Sequence, residues 1–149
     1  MLGFRHSTKQ IGTEVVLISE LRAIGEAVRK LRGRDITLLS DSKLAVAMVM
    51  KWMDGDDVLP RGYTTERGDG REAGLVTARR LIHAQRDRLT PVWAKGHRGE
   101  PLNEGADALA RLASRYATGT SELTNAEYHR RAADLAKAFA AEFNRLRVA

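Results

Sequence analysis

Three carboxylates stand where burial in a core does not account for them. Glu20 opens a helical stretch, Asp41 closes a short apolar run, and Asp107 lies one helical turn after Asn103, so those two share a face. Each has a structural alternative, since an acid in a first helical turn favours the macrodipole and Asp41 can cap the helix that follows it. Carboxylates gathered at one edge repel one another unless a divalent cation neutralises them. His97 ends a second apolar run in Lys95-Gly96-His97. A lone loop histidine is ordinarily just solvated.

The elements that must position these groups are legible in the pattern. Val15 to Ile18 is an apolar run whose periodicity does not separate a buried strand from a first helical turn. Ser19 is a good N-cap ahead of Leu21, Ile24, Val28 and Leu31, and Gly33 supplies the stop. Ile36 to Ser40 reads as a buried strand with Asp41 at its carboxyl end, and Leu44, Met48 and Trp52 recur every four residues on a second helix. Residues 54–70 carry five Gly or Pro among charges, a loop long enough to suspect function or mobility.

A third helix follows with Leu75, Ala78 and Ile82 inward and arginines outward, then a strand over residues 90–94. The turn Arg98-Gly99-Glu100-Pro101 leads into a helix carrying Ala106, Leu109, Ala113 and Tyr116, which Gly119 ends. Thr124 and Glu127 form a capping box before a last helix with Tyr128, Ala132, Leu135, Phe139, Phe143 and Leu146 on one face. This order predicts an α/β layer with parallel strands, whose ligand site lies beyond the strands' carboxyl ends, where Asp41 and His97 both fall.

Composition narrows the chemistry. The 149 residues suit one domain of 1–118 followed by a helical extension of 119–149, and the lack of cysteine excludes disulfides, thiolate zinc sites and cysteine nucleophiles. No apolar run reaches the roughly 18 residues of a membrane span, and no export signal is visible, so a cytoplasmic protein is expected. The net charge is +6. Between Arg61 and Arg98 nine basic residues face four acids, a net +5, which is either a solvated helix face or a surface for a polyanion, with Arg79 and Arg80 at its centre.

Glu20-Leu21-Arg22-Ala23-Ile24, Leu39-Ser40-Asp41-Ser42 with Trp52 eleven residues after Asp41, and the run from Lys95-Gly96-His97-Arg98-Gly99 through Asn103, Ala106-Asp107, Leu109 and Ala110 appear in one order. Together they resemble type 1 ribonuclease H, whose last motif reads K-G-H-x-G-x-x-x-N-x-x-A-D-x-L-A. The resemblance covers about Glu20 to Ala117. It implies an RNase H-like mixed sheet with flanking helices, and a metal-dependent endonuclease that hydrolyses the RNA strand of an RNA/DNA hybrid. Glu20, Asp41 and Asp107 would then bind Mg2+ or Mn2+, and His97 would assist water activation or product release. Asn103 would touch the nucleic acid, with N-capping as its structural alternative, and Ser42, Arg79 and Arg80 would join it at the hybrid.

One departure stands out. Family members begin with a strand carrying an aspartate that bridges two ions, whereas this chain has no aspartate before Asp35. Residues 1–18 have room only for the third family strand and its approach to Glu20, so the fold is expected to be incomplete or rearranged at its N-terminal strands. Three accounts stand open: a shortened enzyme, a rearranged or dimeric sheet, and a nucleic-acid binder with little catalysis. An exposed sheet edge or the last helix would serve a homodimer.

Overall fold

A computed structural model describes residues 16–95 and 99–148. Val16 to Ile18 are helical, which settles the described part of the open run ahead of Glu20; the rest of the expected strand and the loop histidine His97 lie outside the described residues. The elements are α1 (Val16–Lys30), β1 (Ile36–Ser40), α2 (Lys43–Met53), α3 (Gly74–Ala84), a single 3-10 turn at Arg86–Arg88, β2 (Leu89–Trp93), α4 (Pro101–Ala117) and α5 (Asn125–Val148). They fall into two compact units that divide at 94/95, whereas the sequence places a boundary at 118/119.

In the first unit β1 and β2 pair in parallel, with Ile36 opposite Leu89 and Ser40 opposite Trp93. The expected parallel pair is therefore present, one residue earlier in the second strand. Strand β1 was expected to be buried throughout, yet Thr37 is exposed between buried Ile36 and Leu38. Successive strand side chains point to opposite faces, and only the Ile36–Leu38 face meets the helices. Those two residues and Leu89 join Ile18, Leu21 and Val28 of α1, Ala45, Val49 and Trp52 of α2, and Leu75, Ala78 and Ile82 of α3 in one core.

Two helices depart from their predicted faces. Helix α1 begins at Val16, so Ser19 is interior and not the N-cap, and Glu20 is not in the first turn. The physical reason is periodicity: Ile18, Leu21, Gly25 and Val28 form one buried stripe, and Ile18 is useful to the core only if its turn is helical. Helix α2 turns in Ala45, Val49 and Trp52, leaving Leu44 68% exposed and Met48 half-buried. The large indole fixes the helix's rotation, and the buried residues on its face are Val49 one turn back and Ala45 two turns back, not Leu44.

The loop between α2 and α3 is tied down by side chains. The Trp52 indole N–H donates to the Val58 carbonyl at 2.6 Å, and the Arg79 guanidinium donates to the Asp57 carbonyl. The Tyr63 hydroxyl accepts from the Leu75 amide at 3.1 Å and from Arg67 Nη2 at 2.8 Å. Segments without a ladder must satisfy their backbone polar groups elsewhere, and these tethers do so.

In the second unit α4 packs on α5. The buried face of α4 runs through Pro101 and Gly105, with Leu109, Leu112 and Tyr116 half-buried, and the expected core residue Ala106 is exposed. On α5 the buried residues are Tyr128, Ala132, Ala136 and Ala140, while Leu135, Phe139 and Phe143 are half-buried and Leu146 is exposed. Close approach explains the shift: a Cβ on Gly105 would lie 2.9 Å from Cβ and Cγ of Phe139, so small residues line the contact. Tyr116 and Tyr128 stack with ring centroids 4.4 Å apart. Gly119, at φ 69°, takes the left-handed turn that ends α4.

The capping box is present in both directions. The Glu127 amide donates to Thr124 Oγ1 at 3.3 Å, and the Thr124 amide donates to Glu127 Oε2 at 2.9 Å. The Thr124 amide bond, then its hydroxyl, hold the Glu127 carboxyl below the usual carboxylate range. A depressed folded-state value stabilises the protein above the ordinary glutamate range, and that contribution is lost as the pH falls through the folded value. Thr124→Ala removes the hydroxyl side of this cap and is therefore expected to lower the melting temperature at neutral pH. Circular dichroism melts of wild type and Glu127→Gln should converge as the pH is lowered into the acid range; parallel curves at every pH would show that the carboxylate contributes nothing to the cap.

Candidate active site

Asp41 follows directly on β1, and the ladder reaches its base, where the Ala94 amide donates to the Ser40 carbonyl at 2.9 Å. The capping role open to Asp41 belongs instead to Ser42, whose Oγ accepts from the Ala45 amide at 3.2 Å. The Ser42 amide in turn donates to Ser40 Oγ at 3.2 Å, and the Asp41 carbonyl accepts from Trp93 Nε1 at 3.1 Å. Asp41 thus has its backbone held while its side chain is exposed and makes no hydrogen bond or ion pair among the described residues. That leaves the carboxylate open to solvent and to a ligand.

Glu20 is half-buried on α1, and its Oε2 is buried with no hydrogen-bond partner. Its position past the first turn removes most of the macrodipole explanation, because that effect fades within one turn. A desolvated, unpaired carboxylate oxygen is costly until a donor or cation reaches it. Hard anionic oxygens of this kind fit magnesium or manganese in donor chemistry.

Asp107 is exposed on α4 and pairs with Arg111 one turn further on. Asn103, one turn before it, is half-buried and inside the helix, whose N-cap is Glu100 with Pro101 as first residue, so N-capping is not the task of Asn103. Glu20 and Asp41 belong to the first unit and Asp107 to the second. Among the described residues no three His, Asp or Glu groups converge closely enough to hold an ion.

The arginines of the basic segment are largely occupied. Arg67 serves Tyr63 and two loop carbonyls, Arg79 holds Asp57, and Arg88 reaches the Gly33 carbonyl. Arg80 is exposed and pairs with Glu72 at 2.8 Å; the Thr77 hydroxyl and then Arg80 hold the Glu72 carboxyl below its usual range. Arg61 and Lys95 are exposed. A site feature absent from the sequence expectations is Trp93, whose place two residues before Lys95-Gly96 at a strand end was its only signal.

The model for RNase H matches residues 6–115. The chain belongs to the RNase H family. Ribonuclease H of Anaeromyxobacter dehalogenans is 34% identical over 109 residues, covering 69% of this chain and 56% of that protein. Ribonuclease H of Hahella chejuensis is 34% identical over 103 residues, 67% of each, and that of Methylorubrum extorquens is 33% identical over 110 residues, covering 71% of this chain and 47% of its own. The chain spans about half to two thirds of the length of these curated relatives. No solved structure gives a significant match. The RNase H match ends before α5, so this helix is an addition to the matched region. No helix of the described residues is long and apolar enough to cross a membrane.

Proposed function

We propose that this RNase H family member is a divalent-metal-dependent endonuclease that hydrolyses the RNA strand of RNA/DNA hybrids. The observation that carries it is Asp41: a carboxylate at a strand's carboxyl end, relieved of capping by Ser42 and without a partner among the described residues. The name shared by the curated relatives, Ribonuclease H, supports the same activity. Glu20, Asp41 and Asp107 are the carboxylates assigned to magnesium or manganese, which when bound would polarise the scissile phosphate and orient the attacking water. Glu20 offers a desolvated oxygen, Asp41 a fixed and accessible one, and Asp107 one that must leave Arg111 to act. His97 is assigned to proton movement or product release, and Asn103 and Ser42 to the hybrid. The Ser42 hydroxyl accepts the α2 cap bond and keeps its own proton to donate to a phosphate.

Of the two central arginines, Arg80 is better placed than Arg79 for a phosphate, since an exposed ion pair is weak enough for a phosphate to compete with it. Contacts of that type recognise hybrid geometry more than base sequence, helped by the 2′-hydroxyls.

The test is cleavage of a hybrid labelled on its RNA strand, with and without Mg2+ or Mn2+. Ion-dependent RNA cleavage is expected, and the DNA strand should stay whole. Replacing Arg79 and Arg80 with alanine should weaken hybrid binding and make its salt slope shallower by about 0.9 per lost phosphate contact. Salt-sensitive binding with no cleavage under either ion would identify a binding module instead.

A further inference from the structure

We propose that Trp93 is a positioning residue for Asp41, a role that rests on the hydrolytic function proposed above. Trp93 is the last residue of β2 and stands opposite Ser40 in the ladder. It is 41% exposed, an unusual place for the side chain with the most to gain from burial. Its ring is engaged at two points instead. The indole N–H donates to the Asp41 carbonyl at 3.1 Å, and Lys43 Nζ lies 4.3 Å from the ring centroid.

Asp41 is the residue leaving β1, and Lys43 is the first residue of α2. The indole therefore spans the corner between strand and helix. Ser40 and Ser42 brace the same corner from within, through the Ser42 amide to Ser40 Oγ and the Ala45 amide to Ser42 Oγ. From the neighbouring strand the Ala94 amide holds the Ser40 carbonyl, and the Trp93 indole adds a side-chain brace one peptide further on, tying the Asp41–Ser42 peptide plane to the sheet. The backbone sets the Cα–Cβ direction of Asp41, and with it the region in which the rotamers of that side chain can place the two oxygens. Loosening that plane moves both oxygens, and displacement of a reacting group by about 1 Å can cost up to 100-fold in rate.

Trp93→Phe keeps an aromatic ring under Lys43 and deletes the N–H. Turnover on a hybrid is expected to fall about tenfold with KM unchanged, on the same positional argument. The second readout does not need turnover: Mn2+ affinity, followed by paramagnetic broadening of the Asp41 side-chain carboxyl resonance, should weaken several-fold in the variant, with little change in melting temperature. Should Trp93→Phe fail to fold, Trp93→Tyr makes the same deletion with a polar edge suited to an exposed site. Unchanged turnover and Mn2+ affinity would overturn the assignment. A raised KM with unchanged turnover would also overturn it, and would make Trp93 a substrate contact. If wild type cleaves no hybrid, the proposed activity fails while the manganese comparison still decides the role of Trp93. A wild type that neither cleaves nor binds manganese at Asp41 overturns both.

Discussion

Asp41→Asn is expected to lower hybrid cleavage by about a thousandfold or more while leaving hybrid binding and the melting temperature nearly unchanged. The size follows from the several kcal/mol that a metal site contributes to a phosphoryl transition state, at 1.36 kcal/mol for each factor of ten. The neutrality toward folding follows from local geometry. The Asp41 carboxylate is exposed and has no partner among the described residues, the helix cap rests on Ser42, and the bond from Trp93 ends on a backbone carbonyl that asparagine retains. Single-turnover cleavage, fluorescence anisotropy with a labelled hybrid, and a thermal melt together check it. Retained cleavage would remove Asp41 from the chemistry, whereas a large fall in melting temperature would show that its carboxylate has a structural partner.

Trp52→Ala is expected to be the most damaging single change to the first unit, at about 3–5 kcal/mol. Trp52 is the largest fully buried side chain, and its N–H also holds the Val58 carbonyl of the following loop. Alanine leaves a cavity in the core shared by α1, α2 and α3 and releases that loop from its first tether. Total stabilities of about 5–15 kcal/mol mean that one such loss removes a large fraction of the margin. Urea unfolding should show the midpoint fall steeply, and Trp52→Phe, which keeps most of the volume, should lie between alanine and wild type. A midpoint within error of wild type for the alanine variant would contradict the core assignment.

What the sequence disclosed depended on which physical rule governed each element. The inner face of helix α3 was readable because Leu75, Ala78 and Ile82 have a single inward-facing solution, and the α5 cap because Thr124 and Glu127 satisfy each other within four residues. The strand pair was readable from short apolar runs, although pattern alone did not reveal that Thr37 would face outward. The inner faces of α2, α4 and α5 were legible only in part, because hydrophobicity alone assigned them: Trp52, Tyr128 and Ala132 are buried as expected, whereas Leu44, Ala106 and Leu146 are exposed. Bulk decided the first, where Trp52 outcompetes Leu44, and closeness decided the other two, where alanines and a glycine face one another. At the site, Asp41, Glu20 and Asp107 were visible as residue types. What could not be seen was the division of labour around Asp41, because it depends on a hydrogen bond across 52 residues from Trp93.

Gly105 lies between Asn103 and Asp107 at a position that the family motif leaves open, and in this chain Phe139 of α5 occupies the space of any side chain there. In this chain the contact with α5 therefore constrains residue 105: a bulkier residue there requires a smaller one at 139, and the constraint falls in the very turn that carries Asn103 and Asp107.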